Sequence, residues 1–292
     1  MNKILGAVLV LAVAACHNDN MITTKKYSIF LDGEHVKTTV EMEYPQNGDD
    51  EILNKIRQQV ADLLIADYNG NLADADKILQ QFVVEENDKL KAEVFEPIEP
   101  YTYNGEIKMT AQTPDFITFE KYAYAYTGGA HGMSFWQAVS VNKRNGEPLN
   151  DVILNKHAAS QEFKQLLKQG VSAYFSMQRA AVYKCEFQPE KLQDAVFGEF
   201  DANNLPLPAS KPFLTAKGVG FAYQQYEIAS YADGMIAFVI PYNKMRPYLT
   251  DEVWNMVEKQ QNKDAVVTAY VSEDMAAEYQ KYLALPEHKA CE

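Results

Sequence analysis

Five histidines, His17, His35, His131, His157 and His288, stand far apart, and no two have the H-x3-H or H-E-x-x-H spacing that sets imidazoles on one helix face for a metal. The three cysteines, Cys16, Cys185 and Cys291, form no C-x-x-C, so neither a thiolate zinc site nor a vicinal dithiol is written here. No metal, cofactor or catalytic residue is expected. Candidate chemistry narrows to one stretch, Tyr122 to Gly132. Tyr122, Tyr124 and Tyr126 alternate along it, and side chains two apart on a strand share a face. Such a row either packs across strands or offers an aromatic platform to sugar rings or a protein partner, tyrosine being enriched in binding hot spots. Gly128-Gly129-Ala130-His131-Gly132 follows as a turn. The consecutive glycines Gly128 and Gly129 allow the positive φ that a tight hairpin demands, Gly132 completes the structural turn, and His131 can hydrogen-bond across it. That structural reading comes first; the functional one joins His131 to Tyr122, Tyr124 and Tyr126 in a ligand-binding surface. Asp115 and Glu120 fall on opposite faces of the same strand and make no acid/base pair.

The elements that must carry these residues follow from periodicity. Strands are expected at 27–31 and 36–44 around an Asp32-Gly33 turn. Asp49 or Asp50 then caps a helix with Ile52, Leu53, Ile56, Val60, Leu63 and Leu64 on one face, and a second helix spans 73–94. Strand pattern resumes at Tyr101. Residues 115–127 place Ile117, Phe119, Ala123 and Ala125 on one face, opposite Thr118, Glu120 and the tyrosines, and 133–142 returns. Beyond Asn145-Gly146, a turn signal, a helix is expected at 158–175, a proline-rich loop at 201–212 and strands at 218–226 and 235–241. A short helix at 253–257, an edge strand at 266–271 and a helix capped by Ser272 close the pattern. Helices and strands do not alternate as in a parallel βαβ sheet. The fold class is α+β, with antiparallel β-sheets and covering helices: a small N-terminal α/β domain at 27–100 precedes a larger domain at 101–292.

The chain opens with Lys3, a twelve-residue uncharged run from Ile4 to Ala15, and Leu11-Ala12-Val13-Ala14-Ala15-Cys16. The run is too short for a bilayer, which takes about 20 apolar residues, and fits a secretory h-region of roughly 7–15. The small residues before Cys16 resemble a bacterial lipobox, so a lipoprotein signal peptide is expected at 1–15, lipidation at Cys16 and a polar tether at 16–26. The expected location is the cell envelope, on the outer-membrane or periplasmic side, held by lipid alone. The full chain carries a formal charge of −13, with 47% apolar and 12% aromatic residues. This composition builds a core, and with no basic run it argues against nucleic acid; the acidic charge either serves solubility alone, the reading that comes first, or favours basic partners. Cys185 and Cys291 make a single candidate disulfide, closing about a hundred residues for at most roughly 4–5 kcal/mol. Against it stands the fraying expected near a chain end.

Two separated motifs complete the reading. Tyr126-Thr127-Gly128-Gly129-Ala130-His131-Gly132 is followed by Gly218-Val219-Gly220-Phe221-Ala222-Tyr223-Gln224-Gln225-Tyr226-Glu227-Ile228-Ala229, Asp233-Gly234 and Ile240-Pro241-Tyr242. In this order, over roughly 115–250, they resemble the extracytoplasmic domain shared by the lysozyme-sensing anti-sigma factor RsiV and the peptidoglycan deacetylase PdaC. Residues 27–100 more weakly resemble the smaller domain that precedes it. The resemblance implies an RsiV-like larger domain. RsiV also carries a transmembrane helix and a sigma-binding segment, and PdaC a catalytic domain; the 42 residues from Asp251, with one histidine, are too short for the latter. The expectation is a stand-alone, non-catalytic envelope lipoprotein binding a basic protein such as lysozyme, or a cell-wall glycan. A peptidoglycan hydrolase or deacetylase, or an accessory subunit of an envelope complex, are the alternatives.

Overall fold

The computed structural model describes residues 21–47, 50–92 and 100–291. The expected signal peptide, Cys16 and the first part of the tether lie outside them. The chain divides into two compact units, one ending at Leu149 and the other beginning at Asn150.

The first unit is a five-stranded sheet in the order β1-β2-β3-β4-β5, covered on one face by two helices. β1 (Thr24–Asp32) and β2 (Val36–Pro45) form an antiparallel hairpin across Gly33. β1 begins inside the stretch read as tether, because Thr24 to Lys26 pair with Glu43 to Pro45. α1 (Asp50–Leu64) buries Leu53, Ile56, Val60, Ala61 and Leu64. α2 (Ala75–Ala92) adds Ile78, Leu79, Phe82 and Val83. Both stripes meet Val40, Met42, Tyr44, Ile107, Ile117, Phe119 and Val141 in one core. β3 (Tyr101–Gln112) then pairs with β2 in parallel, Val40 opposite Gly105, while β4 (Phe116–Tyr126) and β5 (Met133–Asn142) continue antiparallel. A domain boundary at residue 100 would cut between hydrogen-bonded neighbours, so the division expected there gives way to the one after Leu149.

The second unit has α3 (Gln161–Gln178), capped by the Ser160 side chain, running into a five-residue π-helix, Arg179–Tyr183. A single-turn α4 (Leu192–Ala195) precedes a four-stranded sheet in the order β6-β7-β8-β9. β6 (Phe213–Leu214), β7 (Gly218–Tyr223) and β8 (Ile236–Pro241) are wholly buried. α3 lies close on β8: a Cβ on Gly170 would come within 2.1 Å of the Phe238 ring. α5 (Tyr242–Met245), α6 (Asp251–Val257), the two-residue β9 (Thr268–Ala269) and α7 (Glu273–Leu283) complete it. The strand expected over 218–226 stops at Tyr223, since Tyr226 turns the chain at φ 65°. The edge strand expected over 266–271 shrinks to β9, whose pairing with β8 spans two residues.

Candidate functional site

The tyrosine row stands on the face of the first sheet opposite its helices. Register places Asn104 and Glu106 of β3 beside Tyr124 and Tyr122 of β4, with Ser134 and Trp136 of β5 on the other side. Ala123 and Phe119, the alternate residues, are buried in the core beneath. Tyr122 is exposed, at 44%, and Tyr124 and Tyr126 are half-buried. Each ring leans toward β5 or its turn. The Tyr122 hydroxyl lies 2.8 Å from Ser134 Oγ. The Tyr124 ring lies over Gly132, whose missing Cβ would sit 2.5 Å from it. The Tyr126 hydroxyl donates to the Gly129 carbonyl at 3.1 Å.

Carboxylates rim these rings. Glu120 accepts from Thr110 Oγ1 at 2.7 Å and from the Trp136 indole at 3.3 Å. Glu106 pairs with Lys108 at 2.7 Å and Glu41 with Lys26 at 2.6 Å. Glu43 accepts the Met109 amide at 2.9 Å, where a β-bulge breaks the β3–β4 ladder. Phe30 on the outer strand β1 shares this face and is 53% exposed. The arrangement brings aromatic faces and hydrogen-bonding carboxylates together on one open surface, which suits binding.

The turn divides its labour as its residue types suggest. Gly128 and Gly129 hold φ values of 92° and 87°, in the left-handed region. Gly132 is needed for room, since a Cβ there would also approach the Ala125 carbonyl oxygen to 2.6 Å. His131 is exposed, and its Nδ1 lies 3.1 Å from the carbonyl oxygen of Gly132, the next residue. Asp115 lies away from Glu120 and accepts from the Arg144 guanidinium at 2.5 Å.

In the second unit, most motif residues serve the scaffold. Tyr223 and Tyr242 are buried, with hydroxyls donating to Pro206 O at 2.6 Å and Thr215 O at 2.7 Å; burial drives both phenols well above their usual pKa. Glu227 accepts the amides of Gln224 and Ala209, tying the proline-rich loop to the turn. Asp233 accepts from Arg179 at 2.7 Å and from Ser230 at 2.7 Å. Tyr226 and Tyr231 remain nearer the surface, ring centroids 5.7 Å apart, with Tyr226 49% exposed. Sequence spacing groups them with buried Tyr223; only the backbone reversal at Tyr226 separates their fates. Cys185 and Cys291 are joined by a disulfide. An open cleft of about 440 Å³ lies between Asn155 and Asp251. Its Asn155 amide donates to two backbone carbonyls and its Arg246 pairs with Asp251, so its polar groups are engaged in holding the walls. Among the described residues no three His, Cys, Asp or Glu side chains gather as metal ligands, and no helix is long and apolar enough to cross a membrane.

Two family models match in tandem. Residues 32–134 match the model described as Deacetylase PdaC, and residues 150–243 match DUF3298, a family of proteins of unknown function. The first match ends just past the tyrosine row and its turn; the second begins where the second unit begins. No curated protein sequence matches the chain. Among solved structures, a DUF3298-family protein of Bacteroides fragilis is similar at 17% identity and a TM-score of 0.62, over 83% of this chain and 99% of its own. A DUF3298-family protein of Pseudomonas aeruginosa is similar at 19% identity and a TM-score of 0.53, over 80% of this chain and 97% of its own. These likenesses carry the fold. The chain therefore carries in tandem a region similar to the PdaC model and a region similar to DUF3298.

Proposed function

We propose that this protein is a non-catalytic binding protein of the cell envelope, anchored through a lipid on Cys16, whose open tyrosine face captures a basic protein of the lysozyme kind. The observation that carries the proposal is the row Tyr122, Tyr124 and Tyr126, set on the sheet face opposite the helices of the first unit, with Tyr122 exposed, among Glu41, Glu106 and Glu120. Aromatic rings give contact area at small entropic cost, and surrounding carboxylates steer and orient a cationic partner. The formal charge of −13 works in the same direction at longer range. The names PdaC and DUF3298 describe families and lend this chain no reaction of their own.

The test is titration of immobilised protein with a basic lysozyme at low and at physiological salt. Binding that weakens as salt rises, and that drops about tenfold or more in Tyr122→Ala, is the expected result. A surface that stays empty at low salt removes the basic protein as ligand. Retention of peptidoglycan oligosaccharides instead would assign the face to glycan. Turnover of those fragments would replace binding by hydrolysis or deacetylation.

A further inference from the structure

Residues 284–291 form a strap whose attachments are few and unlike one another. Its residues are exposed up to Ala290, and only Cys291 is half-buried. Yet beneath it Tyr282, the penultimate residue of α7, is 4% exposed. The His288 ring stacks on Tyr282 with centroids 4.4 Å apart, and His288 Nε2 lies 3.1 Å from the Tyr282 carbonyl oxygen. The Tyr282 hydroxyl is buried without a hydrogen-bond partner among the described residues, an arrangement that favours opening, because water would satisfy it. Opposing this are one short parallel bridge, with Glu186 donating to Lys289 O at 2.7 Å and Cys291 donating to Glu186 O at 3.0 Å, and the Cys185–Cys291 disulfide beside it.

The anchor on the other side is not an ordinary helix end. Cys185 follows Lys184, which sits at φ 56° and caps the π-helix Arg179–Tyr183. Lys184 also donates to Glu278 of α7 at 2.8 Å. π-turns and left-handed non-glycine residues are uncommon and collect at places that move or bind. Val182, Tyr183, Leu283 and Leu285, on the two segments that the latch joins, are all about half exposed.

We propose that the strap is a redox-operated lid: the disulfide latches 284–291 over Tyr282, and a dithiol reductant releases it. One thiolate of the reductant attacks a sulfur of the Cys185–Cys291 bond and expels the other cysteine as a thiolate. The reductant's second thiol then resolves the mixed disulfide. Two electrons pass to the chain, which takes up two protons, and the reductant departs as a disulfide. The opened strap uncovers Tyr282 next to Leu283, enlarging an apolar surface that the oxidised form keeps smaller.

The experiment is hydrogen exchange by mass spectrometry on the full chain, oxidised, treated with dithiothreitol, and as the Cys185→Ala/Cys291→Ala variant. Expected is exchange in 282–291 faster by roughly tenfold or more in the last two, with β7 and β8 as protected as before. Tyr282→Phe, which removes the unpartnered hydroxyl, is expected to slow strap exchange in the reduced protein. Unchanged protection of 282–291 after reduction overturns the lid, since bridge and stack alone would then hold it. Loss of protection throughout β7 and β8 also overturns it, making the disulfide a staple of the whole unit.

Discussion

Tyr122 and Gly132 lie within one hairpin and are expected to answer mutation in opposite ways. Tyr122 is exposed, so Tyr122→Ala should change stability by no more than about 0.5 kcal/mol while weakening ligand capture. Gly132→Ala drives a methyl into the Tyr124 ring and the Ala125 carbonyl, and should destabilise by about 1–3 kcal/mol in urea denaturation. A stable Gly132→Ala protein would mean that the ring swings aside freely. Glycine at 128 and 129 was legible from the sequence as a turn requirement. The steric reason for Gly132 was not, because it depends on where a tyrosine eight residues earlier lays its ring. Lys143 makes a second residue-scale prediction. Its ammonium is buried, donating to Thr113 O at 2.8 Å and Gln112 Oε1 at 3.1 Å, and burial pushes its pKa from 10.5 down to about 8, with Asp115 opposing. Between pH 8 and 10.5 the unfolded chain holds this proton and the folded chain has released it, so the lysine's contribution to stability rises with pH across that window, by at most about 3 kcal/mol. Wild type minus Lys143→Met, followed by thermal melts from pH 7 to 10.5, should show that rise; a flat difference would remove the titration.

At the scale of elements, helix α3 rests on β8 through Gly170. Alanine there gains about 1 kcal/mol in helix propensity, but its methyl would overlap the fully buried Phe238 ring. Overlap should win, giving a net loss of about 1–2 kcal/mol for Gly170→Ala, and Phe238→Leu should recover part of it in a double-mutant cycle. Additive losses would show that the two residues do not press on one another. The alternation of β4 and the stripe of α1 could be read directly, because both are local: period two and period 3.6 appear in a dozen residues. The parallel pairing of β2 with β3 could not, since the hydrophobic pattern of a strand names its face and not its neighbour. The same limit hid the break at Tyr226, where the strand pattern runs on and only the backbone turns left-handed. Helix α7 adds a pH dependence. Glu278 hydrogen-bonds both Lys184 and Lys281, which hold its carboxyl down at about 2 against an ordinary 4.5. Its support is present above pH 4.5 and is lost as pH falls toward 2, so the extra protection of α7 in wild type over Glu278→Gln should shrink across that window and vanish near pH 2.

At the scale of the molecule, two compact units meet at residues 149 and 150. Each buries its own sheet under its own helices, so a chain beginning at Asn150 should fold alone and melt cooperatively by circular dichroism. A molten second unit would show that the division is geometric and not energetic. The tyrosine face belongs wholly to the first unit and the disulfide strap to the second, which makes capture and strap opening separately removable by mutation. The parallel β2–β3 junction carries one more consequence, a kinetic one. The β1–β2 hairpin and the β3–β4–β5 meander are each assembled from near neighbours. Joining them requires closing roughly 55 intervening residues, at an entropic cost of about 3–4 kcal/mol before any cross-sheet contact repays it. The two halves should therefore form early and zip together late. Until they do, β2 and β3 are both bare edges able to recruit strands from other molecules, so refolding yield should fall with protein concentration most steeply while that junction is open.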